Sequence, residues 1–154
     1  PFFKSINIPL AYFGIIWAAL NFSAGLTSFN AYQLNKKYTN YKILFYISLS
    51  MTTSFILLGF NNSFIGLIFI LLIYLLRGII TPILRNAINE NTTSNKRATV
   101  LSIRSLIIRI SFAISAPILG YITDNYSLAI SFYCLAIVVG FFSILSAIKL
   151  IRII

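Results

Sequence analysis

The sequence predicts an all-α protein, a polytopic membrane helical bundle with five transmembrane helices. Three observations carry that expectation. Of the 154 residues 59% are hydrophobic and 9% charged, the apolar residues fall in runs long enough to cross a bilayer, and the polar links between the runs are short. A soluble protein carries charge on about a quarter of its residues. Two acids and twelve bases do not furnish the polar surface that a soluble core of this size requires, whereas lipid removes the requirement.

Crossing the hydrocarbon takes about 20 mostly apolar residues, because it is about 30 Å thick and a helix rises about 1.5 Å per residue. The first span is expected at 9–34, ending in Leu34 before the polar run from Asn35 to Lys37. The second, 43–60, follows Lys42 and stops before Asn61-Asn62-Ser63. The third, 64–84, ends at Arg85, and the fourth, 98–122, begins after Lys96-Arg97. The fifth, 128–151, follows Thr123-Asp124-Asn125 and runs to the C-terminal bases. The links 35–42, 61–63, 85–97 and 123–127 are turns, so 1–154 reads as one transmembrane bundle. Pro1 stands where a Met would open a gene, and no charged n-region with a cleavage site follows it, so the chain reads as a fragment.

The net charge of +10 raises nucleic acid as a partner. Long apolar runs separate the bases, and no single face gathers them with base-stacking aromatics. The expected partner is therefore the lipid bilayer and not nucleic acid. Lys36, Lys37 and Lys42 fall in the first link, Arg85, Lys96 and Arg97 in or beside the third, and Lys149 and Arg152 at the C-terminus, while the second and fourth links carry no base. The positive-inside rule then sets Pro1 outside and Ile154 in the cytoplasm; Lys4 alone runs against it. Asn61-Asn62-Ser63 and Asn125-Tyr126-Ser127 match the glycosylation sequon on the outer links, as chance allows in a chain rich in Asn and Ser.

The inventory argues against an enzyme. There is no His, no acid within a span, no Gly-rich phosphate loop, and Cys134 stands alone in an apolar run. No catalytic residue, cofactor, metal ligand set or disulfide is expected.

Helices in lipid associate through small residues at three- and four-residue spacing. Such stripes are Gly14, Ala18, Asn21, Gly25, Ser28 and Tyr32 in the first span; Ala98, Ser102, Ser105, Arg109, Ala113, Ala116 and Gly120 in the fourth; and Ala129, Ala136, Gly140, Ser143 and Ala147 in the fifth. Packing explains the small residues. It does not explain Asn21 and Arg109, which need polar partners or water inside the membrane.

Arg77 is the sharpest case. It lies near mid-depth, where insertion costs on the order of 3 kcal/mol, and Tyr74 and Thr81 share its face by helical spacing. Thr81-Pro82 frees a backbone carbonyl and favours a kink. The only acids, Glu90 and Asp124, lie in links. Three partners for the deep arginines remain open: a carboxylate elsewhere in a longer protein, an anionic substrate, or helix carbonyls with water. Arg104 lies nearer the cytoplasmic end and can snorkel.

The run Arg77-Gly78-Ile79-Ile80-Thr81-Pro82, then Ile88-Asn89, then Arg97-Ala98-Thr99-Val100-Leu101-Ser102, with Pro117-Ile118-Leu119-Gly120 closing the next helix, resembles the major facilitator superfamily, and more narrowly its drug-efflux-like bacterial members. The resemblance implies that the five spans are the eighth to twelfth helices of a twelve-helix secondary transporter. It implies alternating access to a small solute around a mid-membrane site, the site's other wall coming from a missing N-terminal helical bundle. Under it the third span lines the cavity, the first and fourth face the missing half, and the second and fifth face lipid. The expected location is the bacterial cytoplasmic membrane. The family's Gly-x-x-x-Asp-Arg-x-Gly-Arg-Arg motif is reduced here to Ser28-Phe29-Asn30-Ala31-Tyr32-Gln33-Leu34-Asn35-Lys36-Lys37, without its Asp or Gly. Candidate cavity or ion-pair residues are Arg77, Tyr74, Thr81, Arg109 and Asn21. The alternative is a non-transporting membrane subunit or the membrane anchor of an enzyme.

Overall fold

Hydrocarbon offers no hydrogen bonds, so a backbone that crosses it must satisfy its own N–H and C=O groups, and an apolar run of bilayer length becomes a helix. The computed structural model describes residues 1–37, 40–61 and 63–151, and within them the side chains of all but 32, 35–37, 40, 41 and 146–151. A one-turn helix α1 (Phe2–Ser5) and a 3-10 turn (Leu10–Tyr12) lead into five long helices: α2 (Phe13–Lys37), α3 (Asn40–Phe60), α4 (Gly66–Glu90), α5 (Ser94–Asn125) and α6 (Leu128–Ile151). All five are long and apolar enough to cross a membrane.

The helices outrun the apolar runs. α4 continues past Arg85 to Glu90 and α5 begins at Ser94, so the third link shrinks to 91–93. Hydropathy marks where a helix meets lipid and not where it stops, and local bonds carry the backbone further. Asn86 Nδ2 donates to Glu90 Oε1 one turn on at 2.7 Å. Arg97, from the start of α5, donates to the Asn89 carbonyl at 2.9 Å, serving one of the acceptors left open at the end of α4. At the opposite end the Ser127 hydroxyl accepts the Ile130 N–H at 3.2 Å, a side-chain cap on α6.

Contacts give the direction of each helix. Trp17 meets Tyr74 and Ala31 clusters with Ile83, so α2 and α4 run side by side in the same direction. Phe60 meets Tyr133 and Thr52 meets Gly140, so α3 runs against α6. The Thr123 and Ser131 hydroxyls, 2.7 Å apart, hold the adjoining ends of α5 and α6. Links 61–65 and 126–127 therefore share one end of the bundle, and 91–93 lies at the other.

Two apolar clusters close the interior. Ala31, Ile43, Ile47 and Ile83 join α2, α3 and α4. Phe2, Ile6 and Leu58 form the second, with Leu67 and Phe132 against them, so the N-terminal segment folds over the ends of α3, α4 and α6. Lys4 is exposed on that segment, which turns out of α1 through Asn7 at φ 58°, a left-handed conformation that Asn tolerates. Phe29, Phe112 and Ile137 are 80%, 72% and 71% exposed, a distribution suited to lipid or further helices and not to water.

The stripes part company. In α6, Ala136 is buried and a Cβ at Gly140 would lie 3.3 Å from the Thr52 methyl of α3. In α2 and α5, a Cβ at Gly14, Gly25 or Gly120 would meet nothing within 4 Å. α5 touches α4 and α6 only slightly, and its stripe is exposed from Ala98 to Ala113. The side chains of Tyr32, Lys36, Lys37, Ala147 and Lys149 lie outside the described residues, as do Asn62, Arg152 and Ile154 altogether.

Candidate functional site

The site is built on the approach of α2 to α4. Gly78 is buried, and a Cβ there would strike the Ala24 carbonyl oxygen and the Thr27 hydroxyl; only glycine lets the two backbones come so near. The Thr27 hydroxyl lies 3.0 Å from the Leu75 carbonyl of α4 and 3.1 Å from its own Ala24 carbonyl. A polar group thus bridges the two helices.

Beside this contact lies a groove of about 360 Å³ lined from α2 by Asn21, Gly25 and Ser28 and from α4 by Arg77, Thr81 and Arg85. Three sequence candidates, Asn21, Arg77 and Thr81, therefore share one groove. Tyr74 adjoins it: the Arg77 guanidinium carbon is 5.7 Å from the Tyr74 ring centre, within cation–π range. Tyr74 in turn meets Trp17 edge-on at 5.9 Å and 76°. Beyond Tyr74 a second, apolar hollow of about 540 Å³ opens between Phe3, Phe13, Trp17 and Ile70.

Helix carbonyls absorb the smaller polar groups. Asn21 Nδ2 donates to the Trp17 carbonyl at 2.8 Å, the Ser28 hydroxyl to Gly25 at 2.7 Å, and the Thr81 hydroxyl to Arg77 at 2.8 Å. Pro82 has no N–H to offer the Gly78 carbonyl, and α4 runs through it unbroken. The arginines are the exception. Among the described residues neither Arg77 nor Arg85 has a hydrogen-bond acceptor or a carboxylate within reach, and both are exposed in the groove. Glu90 is engaged by Asn86, and Asp124 lies on α5, near its far end.

Arg109 is not brought to this groove. It stands exposed on α5, and Arg104 one to two turns before it is half-buried. Trp17, Thr27, Gly78 and Arg85 were not among the site candidates from the sequence, where Arg85 counted only as an orienting base and Gly78 only in the run that carries the resemblance. Arg85 had a signal, lying eight residues from Arg77 and so two turns along the same side. Gly78 and Thr27 had none, because their roles exist only between helices.

Five helices of bilayer length, with apolar side chains turned outward and a cationic groove half-way along one pair, define an integral membrane protein. The family model of the Major Facilitator Superfamily matches residues 1–153, and the chain belongs to that superfamily. It is a membrane transporter by family. No curated protein and no solved structure matches the chain.

Proposed function

We propose that the chain is the C-terminal bundle of a secondary transporter that moves a small solute by alternating access, with the α2–α4 groove as this bundle's share of the path. The observation that carries the reading is the position of Arg77. Eleven residues into a 25-residue helix, it lies about 17 Å from one end and about 20 Å from the other, the depth at which such transporters bind substrate. An unpaired arginine there is costly, and a mere anchor has no use for it. The open stripes of α2 and α5 support a second bundle packed against them. The alternative of a non-transporting membrane subunit or an enzyme's membrane anchor has no observation in its favour.

A cysteine in the groove tests this. In the full-length protein freed of its native cysteines, Asn21→Cys should react with a membrane-impermeant maleimide, its accessible side switching with conformation, while Ile137→Cys on the outer face of α6 stays unreactive. Asn21→Cys that reacts from neither side removes the groove from the path.

The orientation follows from the bases. Reporters fused after Lys37, Ser63, Asn95, Asn125 and Ile154 are expected to read in, out, in, out, in across the cytoplasmic membrane. A cytoplasmic signal after Ser63 sinks the arrangement.

A further inference from the structure

The two hollows on the α2–α4 wall adjoin at Tyr74 and differ in character. One is apolar and aromatic, with Trp17 and Phe13; the other is polar and carries two positive charges and no negative one. We propose that this wall binds a soluble amphiphilic organic anion, its acidic group on Arg77 and its aromatic body between Trp17, Phe13 and Tyr74. The proposal deepens the transporter reading and rests on it for the word substrate, though not for binding.

The division of labour is physical. Ser28 and Thr81 spend their hydroxyl protons on helix carbonyls and Asn21 one of its two amide protons, so the arginines supply most of the free donors, with the Arg77 guanidinium nearest the aromatic hollow. Its planar fork suits a carboxylate or sulfonate with two parallel bonds, and Tyr74, 5.7 Å away, steadies it without consuming a donor. Arg85 lies two turns on, about 12 Å along the axis, and adds a field of the same sign that draws an anion inward. No internal carboxylate among the described residues competes, since Glu90 and Asp124 are elsewhere. A cationic or neutral solute would leave both charges unanswered, whereas an acid attached to an aromatic ring answers the charge and fills the apolar hollow.

The test uses purified full-length protein in nanodiscs of phosphatidylcholine and three probes of equal size: 2-naphthoate, 2-naphthamide and 2-naphthylmethylammonium. Calorimetry should give 2-naphthoate an affinity at least about tenfold above the other two, the factor that a single lost charge-assisted contact represents. Arg77→Gln should remove that preference, Arg77→Lys should keep part of it, and Trp17→Ala should weaken 2-naphthoate and 2-naphthamide alike. Equal binding of the three probes, or a preference unchanged in Arg77→Gln, overturns the proposal, as does Arg77→Lys binding no better than Arg77→Gln. Nanodiscs containing phosphatidylglycerol separate a soluble anion from a lipid headgroup: if that lipid displaces 2-naphthoate, the occupant is lipid and the proposal falls. Liposome transport keeps the two readings apart. Arg77-dependent transport of a cationic solute refutes the anion and leaves the transporter, whereas 2-naphthoate that binds as stated yet is not moved upholds the site and counts against the transporter.

Discussion

Gly78→Ala is expected to be far more damaging than Gly140→Ala. The added Cβ would meet the Ala24 carbonyl oxygen and the Thr27 hydroxyl, and the first of these is backbone inside a continuous helix, which has no rotamer by which to yield. Relief requires α2 and α4 to part, and parting them stretches the Thr27 to Leu75 contact of 3.0 Å. Overpacking of this kind costs about 1–3 kcal/mol, and each kcal/mol lowers Tm by about 2–4 °C at this size. Gly140→Ala is the comparison, because its methyl would meet only the Thr52 side chain, at 3.3 Å. Thermal unfolding in mild detergent should place Gly78→Ala several degrees below wild type and clearly below Gly140→Ala. Equal melting of the two variants would mean that the close approach is not what holds the pair together.

Arg77→Ala should leave membrane insertion intact, since removing a charge from mid-span eases transfer into lipid, yet should lower transport by the full-length protein at least about tenfold, equivalent to about 1.4 kcal/mol. Arg77→Lys should restore part of the loss, because an ammonium keeps the charge and forfeits the planar fork. Arg104→Ala is the internal control: half-buried on α5, it lies outside the residues that line the groove. Normal transport by Arg77→Ala at equal expression, or equal damage from Arg104→Ala, would make Arg77 a structural residue.

The fold class was legible because the bilayer imposes it: an apolar run of bilayer length has few choices but helix. Helix ends were less legible. Asn86 and Glu90 extend α4 beyond its last apolar residue by a side-chain bond, which hydropathy does not register. For the groove, three- and four-residue spacing suffices to bring Tyr74, Arg77 and Thr81 to one side of α4. That Asn21 faces them required the register between α2 and α4, fixed by Gly78, Ala24 and Thr27, and register between separate helices leaves no periodic trace in either. Arg109 shows the limit of a depth argument, since similar cost in lipid does not bring it to the same groove as Arg77. Small-residue stripes likewise had one spacing and two uses: that of α6 packs on α3, while on those of α2 and α5 a Cβ at Gly14, Gly25 or Gly120 would meet nothing within 4 Å.

The Thr27 bridge has a mechanical consequence. It ties α2 to α4 at Leu75, one turn before Gly78, on the two helices that form opposite banks of the groove. Sliding one bank along the other would give up that contact together with the close seat of Gly78 against Ala24, so the banks travel as one piece and the channel between them keeps its width. A passage of fixed width cannot shut itself. On the transporter reading proposed above, its exposure to either side of the membrane falls to a separate body sweeping across its open front, as a shutter passes over a slot cut in a rigid plate.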